Sequence, residues 1–295
     1  MFKAVILQLG VHVGRCATKV FFDSRVWLIL EPILLLIVFG LLARQLVVFS
    51  GVEAGAADAA LLQSPPDWGA LALMEGQSQG IKWGLLLAAA WFLARVRGYR
   101  LTRPINGDGP LLAVWQLPLF GLAIAVPLVL FAILPRWYHF HIEPLGEAPP
   151  IWNLIYGADW TIEFWLFMAV GSFALIPVVE ELFFRGYFLG NLNRRFSALW
   201  AITLSALVFA LVHLQYVSAD FFALYNLVAV FLVGIVYAWS VYFTRSLLPA
   251  ITGHAFGNLP QPLEWAPYEV GLLLPAVAIL IWLVPRARTM PAAES

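Results

Sequence analysis

The chain is short of charge and nearly devoid of cysteine. Only 12% of its 295 residues are Asp, Glu, Lys or Arg, whereas soluble domains carry about a quarter. That deficit excludes an ordinary water-facing globular surface. The single cysteine, Cys16, excludes an internal disulfide framework and a cysteine metal site, and it is read as a bland residue. HExxH, which sets two metal ligands and a base on one helix face, does not occur. No cleavable signal peptide stands out either, since the first 25 residues mix apolar residues with Lys3, Arg15, Lys19 and Arg25 and their apolar runs read as too short to span. That stretch reads as an amphipathic helix on the cytoplasmic face. No internal repeat is visible. The net charge is zero, which does not identify a partner; no nucleic-acid partner is expected.

What the sequence does have is oil. Hydrophobic residues make up 62% and the mean hydropathy is +0.86. The expected fold is all-α, a polytopic membrane protein of about eight transmembrane helices around an intramembrane polar site. A spanning helix needs about 20 apolar residues. The expected spans are roughly 26–49, 79–96, 110–134, 161–184, 198–216, 221–243, 247–259 and 268–284. The second is weakened by Lys82 and the flanking GQSQG, and the seventh is short. GlyAspGlyPro at 107–110 reads as a helix start, and 51–78 and 135–160 read as outside loops.

Charge placement orients the chain. Arg95, Arg97, Arg100 and Arg103 share one connection, Arg194 and Arg195 another, Arg245 a third, and Arg286 and Arg288 the tail. The alternate connections are mainly acidic. By the positive-inside rule both termini are cytoplasmic, in an integral membrane protein expected in a bacterial inner membrane. Arg44, Lys82 and Arg136 break the pattern and are read as snorkelling from helix ends. The expected organisation is a membrane region over 1–159, a catalytic helical core over 160–284 and a cytoplasmic tail over 285–295. The N-terminal region shows no obvious chemistry; Glu31, just before Pro32, reads as interfacial or internally paired.

Against this background the segment PVVEELFFRGYF stands out, because Glu180, Glu181 and Arg185 occupy an apolar run. Charges at the bilayer centre cost several kcal/mol, about 2.5 or more. Glu181 and Arg185, four apart, share a helix face and can pair, which leaves Glu180 about 100 degrees away and free to face a cavity. A desolvated acid beside a like charge suits a general base near neutrality. Pro177 removes a backbone donor and loosens the helix nearby. Counted from the turn at 193–198, Glu180 and His213 reach similar depths, about 20 and 22 Å, while His254 lies only about 10 Å above Arg245. His254 and Asn258 share a face. His139 and His141, in WYHFH, and His12 are weak metal candidates.

The set Glu180-Glu181-x-x-x-Arg185, Phe209-x-x-x-His213 and His254-x-x-x-Asn258 resembles the three motifs of the CPBP family of intramembrane proteases. That family includes CAAX prenyl proteases of the Rce1 type and bacteriocin-processing enzymes. FLVGIVYAWSVYFTRSLLPAITGHAFGN also resembles the family's last block, with Ala238 at a packing position where many members carry glycine. The resemblance covers about residues 160–260. It implies an intramembrane glutamate-type endopeptidase acting near the end of a membrane-associated protein or peptide. The substrate would be a CaaX-like tail, a bacteriocin leader or a C-terminal sorting signal. Glu180 would be the general base on a water shared with His213, and His254 and Asn258 would stabilise the oxyanion. Glu181 and Arg185 would be the supporting pair. No cofactor is expected; zinc on Glu180, His213 and His254 is the alternative. Competing readings are a proton-coupled transporter with Glu180 and His213 as a relay, and a non-catalytic immunity or scaffold member of the fold. Expected partners are the substrate and the lipid bilayer, with the oligomeric state left open.

Overall fold

The computed structural model describes residues 24–49, 66–103, 105, 110–143, 160–213, 221–260 and 266–289. These form helices, with one isolated bridge between Arg100 and Arg103. The helices are α1 (Arg25–Phe49), α2 (Trp68–Val96), α3 (Gln116–His141), α4 (Ile162–Leu192), α5 (Ala198–Leu211), α6 (Phe221–Thr244), α7 (Leu248–Gly257), α8 (Ala266–Gly271) and α9 (Leu273–Thr289). The expected amphipathic start, Cys16 and His12 fall outside the described residues.

Five described helical stretches are long and apolar enough to cross a membrane: Arg25–Val47, Gln116–His141, Ile162–Leu192, Phe221–Thr244 and Tyr268–Arg286. The other three expected spans are helical but different in kind. α2 has the length, 29 residues, yet it carries Glu75, Gln77, Gln79 and Lys82 along its course. α5 and α7 have only 14 and 10 residues, short of the ~20 a span requires.

Several boundaries move, each for a local reason. α2 begins at Trp68, eleven residues ahead of the expected start at 79, so GQSQG is helix interior. Asp67 caps it, accepting from the Ala70 N–H at 2.9 Å, and Gln79 donates to Glu75 one turn back at 2.8 Å. α3 begins at Gln116, not at Pro110, because residues before it tie to α6: the Leu111 N–H donates to the Thr244 carbonyl at 3.0 Å. α3 then runs through Pro135 to His141, into the stretch expected to be loop. α5 stops at Leu211 instead of 216. α9 passes through Pro285 to Thr289, so the tail expected at 285 begins inside a helix.

α4 is one helical stretch whose winding changes along its length. Ala169–Phe173 and Leu182–Phe188 are π-helical, and the helix restarts at Leu175 with Pro177 in its first turn. Proline is tolerated there because a first-turn residue has no intrahelical partner to donate to. The loosening expected from Pro177 therefore sits N-terminal to it, at 169–174.

In lipid, helices associate by close packing rather than by escape from water. Glycines provide the approaches. A Cβ on Gly121 of α3 would lie 2.9 Å from the Pro249 Cα of α7 and collide with Thr252. One on Gly234 of α6 would lie 3.0 Å from the Ala206 Cα of α5. Gly121→Ala should destabilise the protein by about 1–3 kcal/mol, read as a lower thermal midpoint in detergent; an unchanged midpoint would show that α7 is free to shift.

Glu31 proves to be internally paired. It forms an ion pair with Arg97 and accepts from the Tyr187 hydroxyl. Arg97 also donates to Asn191 at 3.0 Å, and the Tyr99 hydroxyl donates to the Tyr187 carbonyl at 3.1 Å. This network fastens α1 and the connection after α2 to the far end of α4.

Candidate active site

α4 delivers the acids. Glu181 and Arg185 are fully buried and paired at 3.0 Å, four residues apart, as their spacing requires. The Arg185 guanidinium lies 4.1 Å from the centroid of Phe209, and its other terminal nitrogen donates to the Gly234 carbonyl at 3.4 Å. A buried cation is tolerable when a carboxylate, a carbonyl and an aromatic face all compensate it.

α7 brings the second histidine to the same carboxylate. His254 Nδ1 is 2.9 Å from Glu181 Oε1, so one carboxylate oxygen meets both a guanidinium and an imidazole. The contact was not legible as a pairing in the sequence. Counting α-helical rise left His254 too shallow; the π-helical stretch Leu182–Phe188 shortens α4 only slightly, and the packing of α7 against α4 makes up the rest. His254 Nε2 then lies 4.0 Å from Glu180 Oε2, too far for a hydrogen bond.

His213 lies just beyond the end of α5, where its backbone N–H donates to the Ala210 carbonyl at 3.1 Å. Its Nδ1 is 2.7 Å from the Phe209 carbonyl. A carbonyl only accepts, so Nδ1 carries the hydrogen and the neutral ring offers a lone pair at Nε2. For His254, Nδ1–H donates to Glu181 Oε1, which fixes the ring on the buried pair. The two rings are thus anchored differently, one on a backbone carbonyl and the other on a carboxylate.

Phe209 organises the group. Its ring meets His213 edge-on at 4.9 Å and His254 at 5.9 Å, with Arg185 over its face. Tyr237 stacks on His254 at 5.9 Å. Asn258 is the C-cap of α7. Its side-chain nitrogen donates to the Ser172 carbonyl at 3.2 Å, and the Ser172 hydroxyl donates to the Asn258 carbonyl at 2.9 Å. One amide hydrogen is thereby committed and the other remains for a second acceptor.

Glu180, His213, His254 and Asn258 all line one cavity of about 490 Å³. Glu180 keeps 14% of its side chain accessible, against 0% for Glu181, and its Oε2 has no hydrogen-bond partner among the described residues. Lys82 and Arg136 also line it, a convergence that sequence reading missed by assigning both to snorkelling. Lys82 Nζ lies over the Trp83 ring at 4.9 Å, and Arg136 donates to Asn226 at 3.4 Å.

Among the described residues, no group of three or more His, Cys, Asp or Glu is arranged to hold a metal ion. His141 Nδ1 contacts the Trp137 carbonyl at 3.0 Å, and His139 meets the rings of Phe140 and Phe222 edge-on.

This geometry coincides with a family match. Residues 162–260 fit the family model described as type II CAAX prenyl endopeptidase Rce1-like. That region is Rce1-like. It spans α4 to α7 and contains Glu180, Glu181, Arg185, His213, His254 and Asn258, so over this stretch the chain is similar to the CAAX-protease type, in line with the CPBP-type resemblance read from the motifs. Residues 1–161 lie outside the match. No curated protein and no solved structure matches the chain.

Proposed function

We propose that the protein is a glutamate-type intramembrane endopeptidase that hydrolyses a peptide bond near the end of a membrane-associated protein or peptide. The observation that carries this reading is the convergence of Glu180, His213, His254 and Asn258 on one cavity, within the Rce1-like region.

In the proposed reaction Glu180 accepts a proton from a water whose second hydrogen is held by the His213 Nε2 lone pair. The hydroxide adds to the scissile carbonyl carbon, and the charge develops on oxygen. His254, as imidazolium, donates from Nε2, and Asn258 donates its uncommitted amide hydrogen to that oxyanion. Each such donor contributes on the order of a hundredfold in rate. Glu180 then returns the proton to the departing amine as the C–N bond breaks. Glu181 is a positioning residue: it holds His254 on one side and Arg185 on the other. No cofactor takes part in this scheme.

The substrate class proposed is a polypeptide with a hydrophobic or lipid-bearing end, such as a CaaX-like tail, a leader peptide or a C-terminal sorting helix, in a bacterial inner membrane with both termini cytoplasmic. Peptide mapping of membrane proteins from cells with and without the protein tests this. New chain ends that depend on the intact protein are expected. Identical ends in both samples, together with pH-gradient-driven uptake into proteoliposomes, would instead favour the transporter reading.

A further inference from the structure

The two ends of the helix bundle differ in charge and in packing. The connections after α2, α4 and α6 meet at one end, where Arg97 bonds Asn191 at 3.0 Å and Tyr242 donates to Asn193 at 2.6 Å. Arg95, Arg100, Arg103, Arg194, Arg195 and Arg245 belong to that end. Asp67, Glu143 and Glu163 mark the opposite end, at the start of α2, the end of α3 and the start of α4.

From Arg185 toward the arginine-bearing end α4 is closely packed. Arg185, Tyr187, Phe188, Leu189 and Leu192 are all 0% accessible. The cavity extends the other way. It is lined by Gly171 and Ser172 in the first π-helical stretch of α4, by Asn226 near the start of α6 and by Arg136 near the end of α3. Arg136 is five residues from the last residue of α3, about 8 Å of helix. His213 sits beyond the end of α5 on that side.

Cations exposed to water or headgroups concentrate on the cytoplasmic side of membrane proteins. Lys82 and Arg136 looked like exceptions, but both line the cavity and are functional-site groups rather than topology signals. Arg44 is the exception that remains. We propose that the cavity is reached from the end opposite the arginine-bearing connections, the non-cytoplasmic face. The segment to be cut would then be a translocated, membrane-anchored polypeptide presented from outside, not a tail presented from the cytosol. The substrate half of this inference rests on the endopeptidase reading; the direction of access does not.

The test separates the two. In a background with Cys16 replaced by Ser, Ala132→Cys places a thiol in the cavity wall, and Ser197→Cys places one on the exposed turn after α4. Right-side-out and inverted vesicles of the full-length protein are treated with a membrane-impermeant maleimide. Ala132→Cys should label in right-side-out vesicles and stay protected in inverted ones until detergent is added, with Ser197→Cys showing the reverse. Labelling of Ala132→Cys from the inverted side, from both sides or from neither would overturn the proposal. Val230→Cys, also in the wall, replaces Ala132→Cys if that variant does not fold. Because labelling needs no turnover, a failed endopeptidase reading leaves this result standing, and the converse also holds.

Discussion

Glu180→Gln is expected to lower the cleavage rate of the purified protein by about 10²–10⁴-fold, the usual worth of a general base, with the helical fold and thermal midpoint nearly unchanged. The asymmetry between the adjacent acids is the reason. Glu181 is fully buried and shared between Arg185 and His254, so it is not free to take a proton from water. Glu180 is partly accessible and lines the cavity, and its Oε2 makes no hydrogen bond among the described residues. The amide of Gln occupies the same volume but is not basic. The loss should therefore appear in kcat, with KM little changed, since no ground-state substrate contact is removed. Cleavage by Glu180→Gln at the wild-type rate would remove the acid from the reaction, and the glutamate mechanism with it.

How far the fold was legible depended on hydrophobic length. α1, α3, α4, α6 and the last helical stretch each contain an apolar run near span length, and a run of that kind has one stable arrangement in lipid. α2 was misjudged at its start because Glu75 read as a loop residue and GQSQG as a polar flank, whereas on a helix Gln79 donates to Glu75. α5 and α7, expected as spans, are helices of 14 and 10 residues; the shortness of the seventh was already visible in the sequence, that of the fifth was not. The π-helical stretches of α4 have no simple composition signal, although Pro177 hinted at a fault close by.

The site was legible by chemistry and only partly by geometry. Charges in an apolar run are expensive, so Glu180, Glu181 and Arg185 announced themselves, and the four-residue spacing predicted their pairing. The His254–Glu181 contact involves residues 73 apart, and no local spacing encodes it. Lys82 and Arg136 lie outside the Rce1-like region on α2 and α3. Their place in the cavity wall follows from helix packing, which a single sequence does not display.

That shared carboxylate makes Glu181 the most consequential supporting residue, and two variants separate its two duties. Glu181→Ala leaves a guanidinium with 0% accessible surface and no carboxylate partner, and breaking such a pair costs about 3–5 kcal/mol. A large fall in the thermal midpoint in detergent is expected, together with loss of cleavage. Replacing both charges, as Glu181→Met with Arg185→Met, removes the unpaired cation as well as the acid, and apolar substitution of a whole buried pair is often close to neutral. The double variant should regain most of the midpoint lost by Glu181→Ala. It should not regain cleavage, because His254 Nδ1 no longer has an acceptor and the ring is no longer held toward the oxyanion. If the double variant cleaves at the wild-type rate, Glu181 is only a counter-ion for Arg185, and His254 is held in place by Phe209 and Tyr237 alone.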